Sequence, residues 1–121
     1  MKRSIVETKK APPPAGPYSQ AIQAGNMVFV SGQIELHPET NEIPKDFTAQ
    51  CHQVLKNLQA ILEASGSSLK HTVKVMIYMT DIDRFNELNE IYAGYLGSAK
   101  PARACVEVSK LPKGVLVEMD A

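Results

Sequence analysis

Period-two alternation and helical stripes follow one another along this chain, and their order outlines the molecule. Ser4 to Thr8 reads as a short strand, with Ile5 and Glu7 on one face and Val6 on the other. Ser19 to Ala24 and Met27 to Ile34 are strand-like runs on either side of Gly25-Asn26, which predicts a tight hairpin. Pairing Ala24 with Met27 sets Ile22 opposite Phe29 and Gln20 opposite Ser31, and it brings Tyr18 near Gln33. After a loop from Glu35 to Lys45, Asp46 is placed to cap a helix. Its apolar stripe is Phe47, Cys51, Val54, Leu55, Leu58, Ile61 and Leu62, and Ser65-Gly66 ends it. Thr72 to Thr80 alternates again, with Val73, Val75, Ile77 and Met79 against Lys74, Met76 and Tyr78. A second helix, capped by Asp81 or Asp83, turns Phe85, Leu88, Tyr92, Tyr95 and Leu96 inward and closes at Gly97.

The last stretch, Pro101 to Met119, reads as a second hairpin. In its first arm Ala102, Ala104, Val106 and Val108 point one way, and Arg103, Cys105, Glu107 and Ser109 the other. Lys110-Leu111-Pro112-Lys113-Gly114 forms the loop, and Val115 to Met119 the second arm. Pairing Ser109 with Gly114 puts Glu118 beside Cys105, one step from Arg103. A slip of one residue sends Glu118 to the opposite face, and the alternation alone does not choose between them. The stretch is therefore either a solvated surface hairpin or the wall of a pocket for a small carboxylic acid.

The order is strand, strand, strand, helix, strand, helix, strand, strand. Two helices on one face of a mixed sheet, an α+β arrangement, use both helical stripes. The opposite sheet face then stays bare, with Met76, Tyr78 and hairpin residues uncovered, which predicts a homo-oligomer. The 121 residues fit a single domain, 1–121. At 44% hydrophobic and 21% charged the composition is that of an ordinary globular protein. The formal net charge of zero gives no electrostatic footprint for nucleic acid. No apolar run reaches the roughly 20 residues of a membrane span. The opening MKRSIVETKK lacks the apolar region of a secretory signal, and Cys51 and Cys105 occur in unrelated contexts, so a cytoplasmic location with free thiols is expected.

Several polar residues stand out against this pattern. The run from Ala11 to Pro17 is stiff and feeds Tyr18 into the first hairpin. Tyr18, Ser31, Gly32 and Gln33 gather at one end of that hairpin. Gly32 marks a bulge, a close backbone approach or simply the strand end. Asn89 falls on the inward stripe of the second helix, where its amide is either satisfied by backbone or aimed into a pocket; leaving it unpaired costs on the order of 1–3 kcal/mol. Phosphate-loop, CxxC and HExxH motifs are absent. His37 reads as a solvated loop residue, His52 as exposed on a polar helix face and His71 as a strand entry, so no metal site and no base for Ser31 or Cys105 is expected. Arg103 can grip a carboxylate through two hydrogen bonds, and Glu118 can hold or activate a water.

Gly16-Pro17-Tyr18-Ser19-Gln20-Ala21, Ser31-Gly32-Gln33-Ile34, Pro101 to Val108, Leu111-Pro112-Lys113-Gly114 and Val117-Glu118-Met119 closely resemble the Rid family of reactive-intermediate deaminases (YjgF/YER057c type) over essentially the whole chain. The arginine of the PAR-x-C motif resembles the RidA subgroup. The resemblance implies a chorismate-mutase-like fold with a six-stranded mixed sheet, assembled as a homotrimer with pockets at subunit interfaces. It implies hydrolysis of 2-iminobutanoate and 2-iminopropanoate to 2-keto acids and ammonia, with no cofactor or metal. Carried over by position, Arg103 binds the substrate carboxylate, and Tyr18, Ser31, Gly32 and Asn89 shape the site. The Cys105 backbone and Glu118 place the attacking water, with Glu118 beside Cys105. Translation inhibition by RNA cleavage and chaperone-like ligand binding, also described in this family, are the competing functions. Two departures are visible: Ala104 stands where many relatives have Ser, and the sequence ends at Ala121, a few residues before relatives finish the last strand, so either the sequence is truncated or the last strand is short.

Overall fold

A computed structural model of the chain describes residues 2–121. Its strands are β1 (Arg3–Val6), β2 (Ala21–Ala24), β3 (Met27–Val30), β4 (Lys74–Met79), β5 (Ala102–Glu107) and β6 (Val117–Asp120). Its α-helices are α1 (Phe47–Ala64), between β3 and β4, and α2 (Phe85–Leu96), between β4 and β5. The first hairpin forms in the expected register, Ala24 with Met27 and Ile22 with Phe29. Gly25 has a φ of 61°, and Asn26 stays outside the left-handed region, as in a type II′ turn. β1 adds antiparallel to β2.

The strands form two groups of three, β1-β2-β3 and β5-β4-β6. An antiparallel bridge between Gln33 and Met119 joins them, with N–H to C=O distances of 2.7 and 3.1 Å. Val30 N–H also donates to Ala121 C=O at 2.8 Å. The result is one mixed sheet in the order β1-β2-β3-β6-β4-β5. Because β6 is antiparallel to both neighbours, β3 and β4 run parallel, and so do β4 and β5. Each α-helix is thus a crossover between parallel strands, and both lie on one face.

The expected second hairpin does not form. β4 lies between its two arms, parallel to β5 and antiparallel to β6. Val75, Ile77 and Met79 are wholly buried under the helices, which makes β4 the natural centre of its half of the sheet. The link from Val108 to Leu116 is long enough to step over one strand, roughly 10 Å. The register of Cys105 and Glu118 follows. Cys105 pairs with Ile77 and Glu118 with Tyr78, so the two residues face opposite sides of the sheet.

The helix-facing side holds the core. Leu55, Leu58, Ile61, Ile77, Met79, Leu88, Leu96 and Met119 are its largest fully buried apolar side chains. Each such burial contributes about 1.5–3 kcal/mol. Asp46 caps α1 as expected, accepting from Ala49 N–H at 2.7 Å. Asp81 caps the 3-10 turn Ile82–Arg84 that precedes α2, rather than α2 itself. The stripe of α1 also buries two amides. Gln50 donates to Pro44 C=O and accepts from Leu116 N–H, both at 2.9 Å. Asn57 donates to Ile34 C=O and Leu36 C=O, both at 3.0 Å. His52 is half-buried instead of exposed, with Nδ1 2.8 Å from the Tyr95 hydroxyl. His37 is half-buried too, and its Nδ1 accepts from Glu39 N–H at 3.2 Å.

The other face carries Ile5, Ile22 and Phe29 in register across β1, β2 and β3. Met76 and Tyr78 on β4 and Ala104 and Val106 on β5 continue it. Ile5 is 59% exposed and Phe29 57%.

Candidate functional site

Gln20 is the residue that fixes the first part of the site. It is buried, and its side chain makes four hydrogen bonds to the segment that precedes it. Oε1 accepts from Thr8 N–H at 2.7 Å, and Nε2 donates to the carbonyls of Thr8, Ala11 and Pro12 at 3.1, 3.2 and 2.8 Å. The proline-rich run is therefore strapped to the end of the β2-β3 hairpin. Tyr18 leaves this strap 51% exposed, its hydroxyl accepting from Ala15 N–H at 3.2 Å. Ser31 N–H donates to Gln20 C=O at 2.9 Å, and its hydroxyl donates to Ser19 C=O at 2.6 Å.

Gly32 and Glu118 meet beside them. A Cβ at Gly32 would come within 2.5 Å of Glu118 Oε2, so the absence of a side chain at Gly32 lets this carboxylate lie where it does, and a larger residue would displace it. Glu118 is half-buried, and burial, helped by neighbouring Asp120, raises its pKa above the usual carboxylate range. Tyr18, Gln20, Gly32, Gln33 and Lys113 line a small cavity of about 40 Å³ here. That volume holds little more than a water.

Arg103, Asn89 and Cys105 form a second group elsewhere. The Arg103 guanidinium lies over two rings of α2, 5.2 Å from the centroid of Phe85 and 4.8 Å from that of Tyr92. Such contacts contribute about 0.5–2 kcal/mol each and hold the fork in one place. No carboxylate lies within ion-pair distance of Arg103 among the described residues; their one salt bridge is Arg84–Glu87. Asn89, half-buried, lies on the same stripe of α2, four residues after Phe85 and three before Tyr92. The Cys105 thiol is 3.5 Å from Met79 Sδ. Burial raises its pKa despite the opposing charge of Arg103, which keeps it a thiol rather than a thiolate.

The sequence-derived set is thus split in two. Tyr18, Ser31, Gly32 and Glu118 converge around the β3-β6 junction. Arg103, Cys105 and Asn89 converge between β5 and α2. Arg103 pairs with Val75 and Glu118 with Tyr78, on opposite faces and with β4 between them. One copy of the chain cannot bring both charges onto one small molecule. No group of three metal-ligating side chains clusters among the described residues.

Glu35 escaped the sequence reading, which placed it in a surface loop. It is 0% exposed. The pleat that turns Gln33 inward at its bridge with Met119 continues for one more period and turns Glu35 inward as well. Neither carboxylate oxygen has a hydrogen-bond partner in good geometry. Burial pushes the pKa up to about 9; the nearby N–H groups of Glu35 itself and Val117 restrain the rise, and Glu118 adds to it. Beside it, burial first and Glu35 second push the Cys51 thiol up to about 12. The signal for Glu35 was the continued alternation Gln33, Glu35 after the strand. For Gln50 and Asn57 it was polar side chains at helical spacing within the apolar stripe.

Residues 8–121 match the family model described as Endoribonuclease L-PSP. A RutC family protein of Pyrococcus abyssi is 52% identical over 122 residues, covering 100% of this chain and 96% of that protein. The solved structure of RidA from the Antarctic bacterium Psychrobacter sp. PAMC 21119 is 45% identical with a TM-score of 0.94, covering 97% of this chain and 95% of the other. That of E. coli TdcF with bound serine is 40% identical with a TM-score of 0.93, covering 98% and 95%.

Proposed function

The chain belongs to the Rid/YjgF family, whose model carries the L-PSP description, and from that premise we propose that it is a RidA-type deaminase that hydrolyses 2-imino acids, such as 2-iminobutanoate and 2-iminopropanoate, to 2-keto acids and ammonia. The observation that carries this reading is Arg103, a guanidinium fixed on two aromatic rings with no carboxylate of its own. A planar fork held this way suits a ligand carboxylate bound through two hydrogen bonds. The serine bound to TdcF is a small carboxylic acid of the same kind.

The chemistry needs a water and somewhere to put its proton. Arg103 binds the carboxylate and directs the imine carbon to the water held by Glu118 and the Cys105 backbone. The water oxygen bonds to that carbon as Glu118 takes its proton. The C=N π pair moves to nitrogen, which takes that proton from Glu118 to give the carbinolamine; Glu118 then carries the hydroxyl proton to nitrogen, the C–N bond breaks as the C=O bond forms, and ammonia leaves with the keto acid. The raised pKa of Glu118, caused by burial and by neighbouring Asp120, makes it a stronger proton acceptor than an ordinary exposed carboxylate. Tyr18, Ser31, Gly32 and Asn89 shape the space around the substrate.

Because the two groups lie apart in one copy, the site is completed by a second copy, in a homotrimer whose bare sheet faces turn toward its centre. Ile5, Phe29 and Val106 support this, since a monomer leaves them in water. In an assay coupled to threonine dehydratase, added protein accelerates keto-acid release, and Arg103→Ala abolishes the acceleration. Full activity in that variant would refute the carboxylate clamp. The L-PSP description favours a second reading, RNA cleavage. RNase activity that survives repurification and disappears with Glu118→Gln would favour it over deamination.

A further inference from the structure

Among the described residues, the buried side-chain polar atoms without a hydrogen-bond partner are both Glu35 carboxylate oxygens, the Thr72 hydroxyl and the Tyr92 hydroxyl. Folded chains keep few such groups, because water has been lost and nothing replaces it. The Tyr92 hydroxyl lies against Arg103. The guanidinium sits 4.8 Å from the centroid of the same ring. Burial raises the pKa of the hydroxyl, and Arg103 opposes the rise both by its charge and by its approach to the oxygen. The oxygen and the guanidinium are therefore neighbours, yet no N–H of Arg103 is aligned on the oxygen.

Of the two partners, the tyrosine is the fixed one. Leu88 and Leu96, one turn before and one turn after it on α2, are fully buried, and Tyr92 itself is buried. Arg103 is half-buried and has no ion pair. Phe85 and Tyr92 keep its guanidinium in place, but a ring face attracts a cation without specifying which N–H points where. The rotation of the fork is thus left open. A guanidinium has five N–H donors, and a bidentate carboxylate takes two of them. Because the fork is planar and rigid, seating a carboxylate on one edge sets the direction of the remaining N–H groups.

On the deaminase reading, on which this inference rests, we infer that Tyr92 is a positioning residue: when a substrate carboxylate seats on Arg103, the fork turns and donates one of its remaining N–H groups to the Tyr92 hydroxyl oxygen. The rings hold the guanidinium, and the hydroxyl fixes its orientation. Part of the affinity for the carboxylate then comes from a bond that the ligand never touches. Phenylalanine at this position keeps the ring and removes that bond alone. The ligand-free fold loses nothing by the change, since it has no such bond to lose.

The test compares the parent, Tyr92→Phe and Arg103→Ala, each as the full chain, by thermal unfolding without ligand and by calorimetric titration with 2-oxobutanoate, a keto acid of the proposed product class. Tyr92→Phe unfolds at the parent midpoint or slightly above it and binds about tenfold more weakly, the worth of one hydrogen bond to a charged group. Arg103→Ala abolishes binding. Equal affinity in the parent and Tyr92→Phe, with binding lost in Arg103→Ala, overturns the role of Tyr92 and leaves the carboxylate clamp standing. A midpoint several degrees lower in ligand-free Tyr92→Phe also overturns it, because the hydroxyl would then already be bonded in the resting fold. Undiminished binding by Arg103→Ala, or none by the parent, refutes the clamp itself and this inference with it.

Discussion

A carboxylic acid cut off from water, with no well-aligned hydrogen-bond donor, holds its proton, and Glu35 is in that position beneath α1. Its pKa of about 9, against the ordinary 4.5, means that between these values the folded chain binds a proton that the unfolded chain has lost. The sign follows: the contribution of Glu35 to stability is complete below about pH 4.5 and is lost as pH rises through about 9. Glu118, also raised, acts in the same direction. We expect denaturant unfolding of the parent chain to show stability falling by on the order of 2–4 kcal/mol between pH 5 and pH 8. Glu35→Gln flattens most of that slope, and a slope unchanged in the variant would remove Glu35 as its source.

Single elements here are set in place by side chains that belong to other elements. The proline-rich run has few N–H groups of its own and no strand partner, yet Gln20 anchors it through four hydrogen bonds. Gln20→Leu removes these bonds and leaves buried carbonyls unpaired, a loss of about 2–4 kcal/mol. Tyr18, at the end of the run, is then no longer fixed, so KM for an imino acid rises more than the thermal midpoint falls, as steady-state kinetics and calorimetry on one preparation would show. Elements of this kind differed in how far the sequence announced them. The first hairpin, α1 with its Asp46 cap and the alternation of β4 were legible because each depends on neighbours within a few residues. The pairing of β5 and β6 was not. Their alternation is real, but a strand from an earlier part of the chain lies between them, and alternation carries no record of which strand is next door.

At the scale of the whole molecule, the separation of Arg103 from Glu118 makes a prediction about mixtures. Arg103→Ala and Glu118→Gln proteins are each inactive alone. If the site is shared between copies of the proposed trimer, the two proteins, unfolded together in equal amounts and refolded, form mixed trimers in which some interfaces combine an intact Arg103 with an intact Glu118 from the next copy. Random assembly then restores about a quarter of the parent activity; no recovery would mean that each site is built within one copy. The candidate residues stood out in the sequence, since an arginine, an amide and a carboxylate are conspicuous against apolar alternation. Their division between two faces was not, because it depends on the position of β4. That same arrangement has a bearing on biosynthesis. β6 is the last of the six strands to be made, and it joins the two halves of the sheet through Gln33 and Met119. While the chain is still emerging from the ribosome, β3 and β4 both present open edges, and the helices can cover only half-sheets. Commitment to the native fold therefore awaits the synthesis of β6, and nascent chains are most open to aggregation just before it.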